Sequence, residues 1–96
     1  MGKYMYLSFV TFTEKAYQMG NDWWMNTWMP KHNEICKKWD VKFLKQGIPF
    51  GTVETHLYVY ETDLELSKYQ DFRGEITNID EGIFDYTKTT IVNCPF

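Results

Sequence analysis

Two stretches of the chain alternate with a period of two between aliphatic positions and positions bearing rings or polar groups. Over residues 53–61, V-E-T-H-L-Y-V-Y-E, one side carries Val53, Thr55, Leu57 and Val59, and the other Glu54, His56, Tyr58 and Tyr60. Successive side chains of a β-strand point to opposite faces, so the run predicts a strand with one aliphatic face and one face of polar-tipped rings. Residues 3–12 repeat the division, with Met5, Leu7 and Phe9 against Tyr4, Tyr6 and Ser8. Matching faces on two strands predict a shared sheet. The aliphatic side is expected to pack beneath helices, and the tyrosine side to be left uncovered by them.

Between these strands the period changes. Thr13 predicts a cap for a short helical turn carrying Tyr17, interrupted at Gly20-Asn21-Asp22, with Asn21 or Asp22 as the cap of the next helical segment. Trp24, Trp28, Ile35 and Trp39 then recur at helical spacing, with His32 and Cys36 nearby. Pro30 falls inside this stripe and predicts a kink or a fresh start near Met29. Residues 41–46 alternate weakly and predict a short edge strand; the alternative is a helix running on to Gln46 with Gly47 as its C-cap. After the 53–61 run, Thr62-Asp-Leu-Glu65 has the form of a capping box, and Leu66, Tyr69, Phe72, Ile76 and Ile79 make an amphipathic helix ending before Gly82. Residues 83–94, rich in Thr, Ile and Val, predict a final strand stopped by Pro95.

The order is β-α-β-β-α-β: an α+β, ferredoxin-like plan with a four-stranded antiparallel sheet and two helices on one face. Ninety-six residues make one domain, spanning 1–96. Aromatic residues form 19% of the chain, more than one small core calls for, which points to a second buried surface. A formal net charge of −3 with scattered lysines argues against a phosphate-backbone partner such as nucleic acid. No apolar run approaches the roughly 18 residues of a membrane span and no signal peptide is visible, so a cytoplasmic location is expected. Cys36 and Cys94 make neither a disulfide framework nor a zinc motif, and both are expected to be reduced.

With this element order, the segment Leu57-Tyr-Val-Tyr-Glu-Thr-Asp63 leading into the helix through Lys68-Tyr69, and the closing Phe84-Asp-Tyr86, resemble the dimeric α+β barrel superfamily. That superfamily includes antibiotic-biosynthesis-monooxygenase-like and EthD-like domains. The resemblance implies a homodimer pairing sheet to sheet around a small-molecule site, as in cofactor-independent oxygenases and isomerases. Haem-degrading relatives use a histidine in the second helix; here that region offers Lys68 and Tyr69, so neither haem nor another cofactor is implied.

The candidate chemistry centres on His56. A histidine between Glu54 and Tyr58 on one strand face suits a general base, and the alternative is a hydrogen-bonded interface or core histidine. Tyr6, Tyr58 and Tyr60, with Glu54 and Tyr86, are candidate ligand-binding residues for an aromatic or apolar compound, or else plain dimer packing. His32 and Cys36 stand one helical turn apart, but nothing completes a coordination shell, so no metal site is assigned. Three function classes compete: a homodimeric small-molecule-binding protein with oxygenase or isomerase chemistry, a non-catalytic dimeric interaction module, and, more distantly, an RNA-binding sheet.

Overall fold

The structure is a computed structural model describing residues 2–95, except for the side chains of residues 86 and 87. Strand β1 (Tyr4–Phe12) leads into a short helix α1 (Glu14–Gln18), then α2 (Gly20–Trp23), a π-helical turn (Trp24–Trp28) and α3 (Met29–Lys38). Strands β2 (Lys42–Gly47) and β3 (His56–Thr62) come next, then helix α4 (Leu66–Thr77) and strand β4 (Phe84–Asn93). The four strands form one antiparallel sheet in the order β2-β3-β1-β4. The fold is mixed α+β.

Local chemistry explains most of the boundaries. Thr13 caps α1 as expected, its hydroxyl accepting from Ala16 N at 3.3 Å. Neither Asn21 nor Asp22 caps the next segment: it starts at Gly20, whose φ of +75° suits glycine, and Met19 stands at the cap without a side-chain bond. Pro30 has no amide proton and its ring crowds the carbonyl four residues back. The helix absorbs this by widening, so that Met29 N bonds to Trp24 O, five residues back, and it continues without a break. It ends in a Schellman motif. Asp40 adopts φ +55°, Val41 N donates to Cys36 O at 2.9 Å and Asp40 N to Lys37 O at 3.3 Å. That stop leaves residues 42–47 free to form β2, which excludes a helix running to Gln46.

The assignment of sheet faces is reversed from the expectation. Tyr6, Ser8 and Val10 pair with Tyr60, Tyr58 and His56, and it is this face that the helices cover. Tyr6, Tyr58 and Tyr60 are only 1–3% exposed. The Tyr6 ring stacks on Tyr69 of α4 with centroids 3.8 Å apart, Tyr60 meets Phe72 edge-on, and Trp28 packs against Tyr58. The aliphatic residues Met5, Leu7, Phe9, Leu57 and Val59 occupy the other face and are only half-buried. Alternation reveals two faces but not which one is inside. Large rings enclose more area than aliphatic chains, and three of the buried phenols also find partners, whereas the Tyr58 hydroxyl is buried without one. Here the Tyr6 hydroxyl donates to Leu64 O at 2.7 Å, Tyr60 bonds His32 Nε2 at 2.8 Å, and Tyr69 bonds the buried Ser8 hydroxyl.

The capping box also fails to form. Helix α4 begins at Leu66 with Glu65 as its cap and no side-chain bond. Thr62 instead ends β3 as a buried residue, its hydroxyl donating to Asp40 O and accepting from Leu64 N, both at 3.2 Å. It ties the start of β2 to the exit of β3. Replacing Thr62 by Val keeps the shape and removes both bonds, and should cost about 1–2 kcal/mol of unfolding free energy. An unshifted denaturant midpoint would show that this hydroxyl ties nothing together.

Candidate functional site

One end of the sheet carries a pocket of about 340 Å³, at the small end of the range usual for ligand sites. It lies between the sheet end, where Phe12, Gln46 and His56 emerge, and the helical segment contributing Trp24, Met25 and Met29. Two irregularities build it. The β1–β4 register shifts between Thr11 and Phe12, a place where such a shift re-aims a side chain. The π turn begins at Trp24, whose indole Nε1 donates to Ala16 O at 3.1 Å and so holds the ring in place.

The pocket wall is a three-ring stack. Phe12 lies between Trp24, with centroids 4.8 Å apart at 6°, and His56, with centroids 3.6 Å apart at 14°. Tyr17, 62% exposed, tilts against Phe12 at the rim. Such a wall offers flat π surface for another flat molecule.

Hydrogen bonding fixes the state of His56. The Thr55 hydroxyl accepts from Phe12 N at 2.9 Å and gives its proton to Val10 O at 3.3 Å. With its proton on Val10 O it accepts from His56 Nδ1, 2.9 Å away, and in that tautomer the lone pair is on Nε2. Nε2 has no hydrogen-bond partner among the described residues. Burial lowers the His56 pKa below the ordinary imidazole value, so the ring is neutral near pH 7. A neutral imidazole with a free Nε2 lone pair can accept a hydrogen bond or a proton from a bound molecule.

The other candidates lie elsewhere. Glu54 does not share a face with His56, because β3 begins only at His56 and residue 54 precedes the regular pleat. The Glu54 carboxylate is buried, hydrogen-bonded by Thr52 and 3.4 Å from Lys88 Nζ. The Thr52 hydroxyl, more than Lys88, holds its pKa below the usual carboxylate value. Tyr6, Tyr58 and Tyr60 are core residues, and burial raises the pKa of all three phenols. Tyr86 lies outside the described side chains. Of the five whose side chains are described, only His56 lines the pocket. Phe12, Trp24, Met25 and Gln46 were not anticipated; the crowding of Trp23, Trp24, Met25 and Trp28 just ahead of Pro30 was the available signal.

His32 is buried, with Nδ1 bonded to Asn33 Oδ1 at 3.1 Å and Nε2 to the Tyr60 hydroxyl. Cys36 Sγ lies 3.7 Å from Nε2, and burial pushes that thiol up to about 12. Both cysteines are free thiols. Among the described residues no group of three or more His, Cys, Asp or Glu side chains is placed to hold a metal ion, and no helix is long and apolar enough to cross a membrane. A second hollow of about 470 Å³ runs past the charged side chains of Lys37, Asp40, Lys42, Glu61 and Asp63, and offers no aromatic wall.

No protein-family model and no curated protein matches the chain. Its class is therefore set by its own architecture: an α+β protein with an antiparallel sheet and an aromatic pocket at the sheet end.

The histidines predict a pH dependence. Burial depresses both pKa values in the folded state, so the unfolded chain binds the extra protons. Stability is full above the unfolded value of roughly 6.5 and is lost as pH falls below it toward the folded values. Glu54 and Glu75, also depressed, act in the same direction only nearer the carboxylate range. The denaturation midpoint should therefore drop between about pH 7 and pH 5. A flat profile there would show that neither imidazole is held neutral.

Proposed function

We propose that the protein binds a small, flat, largely apolar compound in the sheet-end pocket, with His56 Nε2 as the single basic atom facing it. The Trp24–Phe12–His56 stack is the observation that carries this reading. The chemistry it equips the site for is proton transfer at one acidic O–H, N–H or C–H group, the step a cofactor-independent oxygenase or isomerase of the expected kind requires. 2-Naphthol and naphthalene separate the parts of this proposal. Both should quench indole fluorescence on binding, with naphthol the tighter. His56→Phe, which keeps a flat ring in the stack and removes the ring nitrogens, should weaken naphthol about tenfold, the worth of one hydrogen bond (~1.4 kcal/mol), and leave naphthalene unchanged. Failure of either compound to bind would sink the pocket; equal losses for both would sink the role of Nε2.

We also propose that the fold is ferredoxin-like and that two copies pair through the sheet face the helices leave open. The order β2-β3-β1-β4 supports the first part. The half-buried row of Met5, Leu7, Phe9, Leu57 and Val59 supports the second, since a stable monomer rarely leaves a continuous apolar face in water. A non-catalytic dimeric module would use this same face. Val59→Glu should leave a folded monomer, because its carboxylate can reach water once the copies part, whereas in the pair it would be desolvated twice. Tyr58→Glu should unfold the chain, because that side chain is inside each copy. Sedimentation with circular dichroism reads both; a Val59→Glu dimer as tight as wild type would remove this interface.

A further inference from the structure

The β2–β3 connection stands out from the rest of the surface. Residues 48–55 carry the largest exposed apolar side chains of the described chain: Phe50 is 94% exposed, Val53 85% and Ile48 70%. Scattered exposed apolar residues need no explanation, but three in one short loop do. Among the described residues no backbone hydrogen bond outside the strands ties down 48–54; the first is Thr55 N to Val10 O at 3.0 Å. The loop also has places to bend. Gly47 and Gly51 have no heavy atom within 4 Å of where a Cβ would sit, and Gly51 holds φ +81°. Glu54 and Thr55 are held, by Lys88 and by Phe12 and Val10, so the segment of low local stability is 48–53.

Its position gives this mobility a direction. The residues at the two roots of the loop, Gln46 at the end of β2 and His56 at the start of β3, both line the aromatic pocket. A loop rooted on both sides of a pocket mouth needs only rotations near its ends to lie across it. The segment 48–53 has the reach, since an extended chain advances roughly 3.3–3.6 Å per residue.

We propose that residues 48–53, hinged between Gly47 and the anchored Glu54, form the closing wall of the pocket and that Phe50 seats on the outer face of the bound ring. This inference rests on the pocket being a ligand site. The three-ring stack supplies the inner wall, and Phe50 supplies the outer apolar surface that the 340 Å³ hollow lacks. Closure removes the exposed side chains from water only when a ligand fills the space between, so the loop orders on binding and selects flat apolar compounds. Phe50 is then a specificity-determining residue rather than a catalytic one.

The test uses 2-naphthol and the full chain as wild type, Phe50→Ser and Phe50→Tyr. Phe50 is exposed in the free protein, so Phe50→Ser should leave the melting temperature without ligand unchanged. It should weaken naphthol about tenfold, through faster release, and Phe50→Tyr should restore the affinity. Chymotrypsin should cut the free protein after Phe50, and saturating naphthol should protect it. If wild type binds naphthol but Phe50→Ser binds equally well, or naphthol gives no protection, the loop is not the closing wall and the pocket still stands. If wild type does not bind naphthol, pocket and closing wall fall together. If Phe50→Ser shifts the free protein toward monomer in sedimentation without changing naphthol affinity, the loop serves contact between copies and the proposal is overturned.

Discussion

The register of helices on sheet depends on the polar atoms that find partners inside a core built of rings, while Trp28 Nε1 and the Tyr58 hydroxyl are buried there without one. A phenol buried without a partner loses its bonds to water, at a cost of about 1–3 kcal/mol. The Tyr60–His32 bond does the most in this respect, because both residues are nearly or fully buried and each gives the other its partner. It fixes β3 against α3 at one height and orientation, and burial of the ring lowers the His32 pKa. Tyr69 with Ser8 does the same between α4 and β1, and Tyr6 reaches the Leu64 carbonyl just ahead of α4. Helices α3 and α4 are therefore held to the sheet by a directional bond as well as by packing, and the stacked Tyr6 and Tyr69 rings add a second constraint on α4. A purely aliphatic layer would offer no such unique register.

The same economy of rings explains the pocket. Trp28 is directed into the core, 1% exposed against Tyr58, so the helix is committed at that point. Pro30 then denies the helix its regular bonding just beyond. The π turn adds a residue to the helical repeat, rotating Trp24 and Met25 relative to the stripe through Trp28, His32 and Cys36. Two side chains that regular spacing would direct otherwise become the pocket wall. A π turn costs some hydrogen-bond geometry, and such turns persist where they place a functional side chain.

Much of the architecture was legible in the chain itself. β1 and β3 come out of period-two alternation and the two main helices out of helical spacing, β4 out of its Thr, Ile and Val content and β2 out of a weak alternation with a helix as rival, and Thr13 reads correctly as a cap because the helix begins immediately after it. The errors have physical causes. Thr62-Asp-Leu-Glu65 has the letters of a capping box, but Thr62 is still in the pleat of β3 and faces the core, so its hydroxyl serves Asp40 and Leu64. Glu54 shares a parity with His56, but parity holds only within a strand, and the strand starts two residues later. The π turn could not be read from spacing, because it breaks the very repeat used to find a helix. His56 was legible because it lies on a true strand face; its ring partners Phe12 and Trp24 were not, since each sits at an irregularity.

The reversal of the sheet faces changes what the molecule can do. With tyrosines on an open face, pairing and ligand binding would compete for the same hydroxyl-tipped surface, and one mutation would disturb both. With the tyrosines inside, the open face is left with Met5, Leu7, Phe9, Leu57 and Val59, which offer area but no hydroxyl or carbonyl side-chain groups to orient a small molecule. Such a surface suits a broad apolar contact. A site that discriminates among small molecules needs a few placed polar atoms within an apolar wall, and in this chain that combination occurs at the sheet end, where the His56 imidazole stacks on Phe12 and Phe12 on Trp24. The proposed pairing and the proposed binding then fall on different surfaces. They are joined through β3, whose Val59 and Leu57 face one way while His56 faces the other, so an assembly that stiffens β3 also stiffens the base of the pocket.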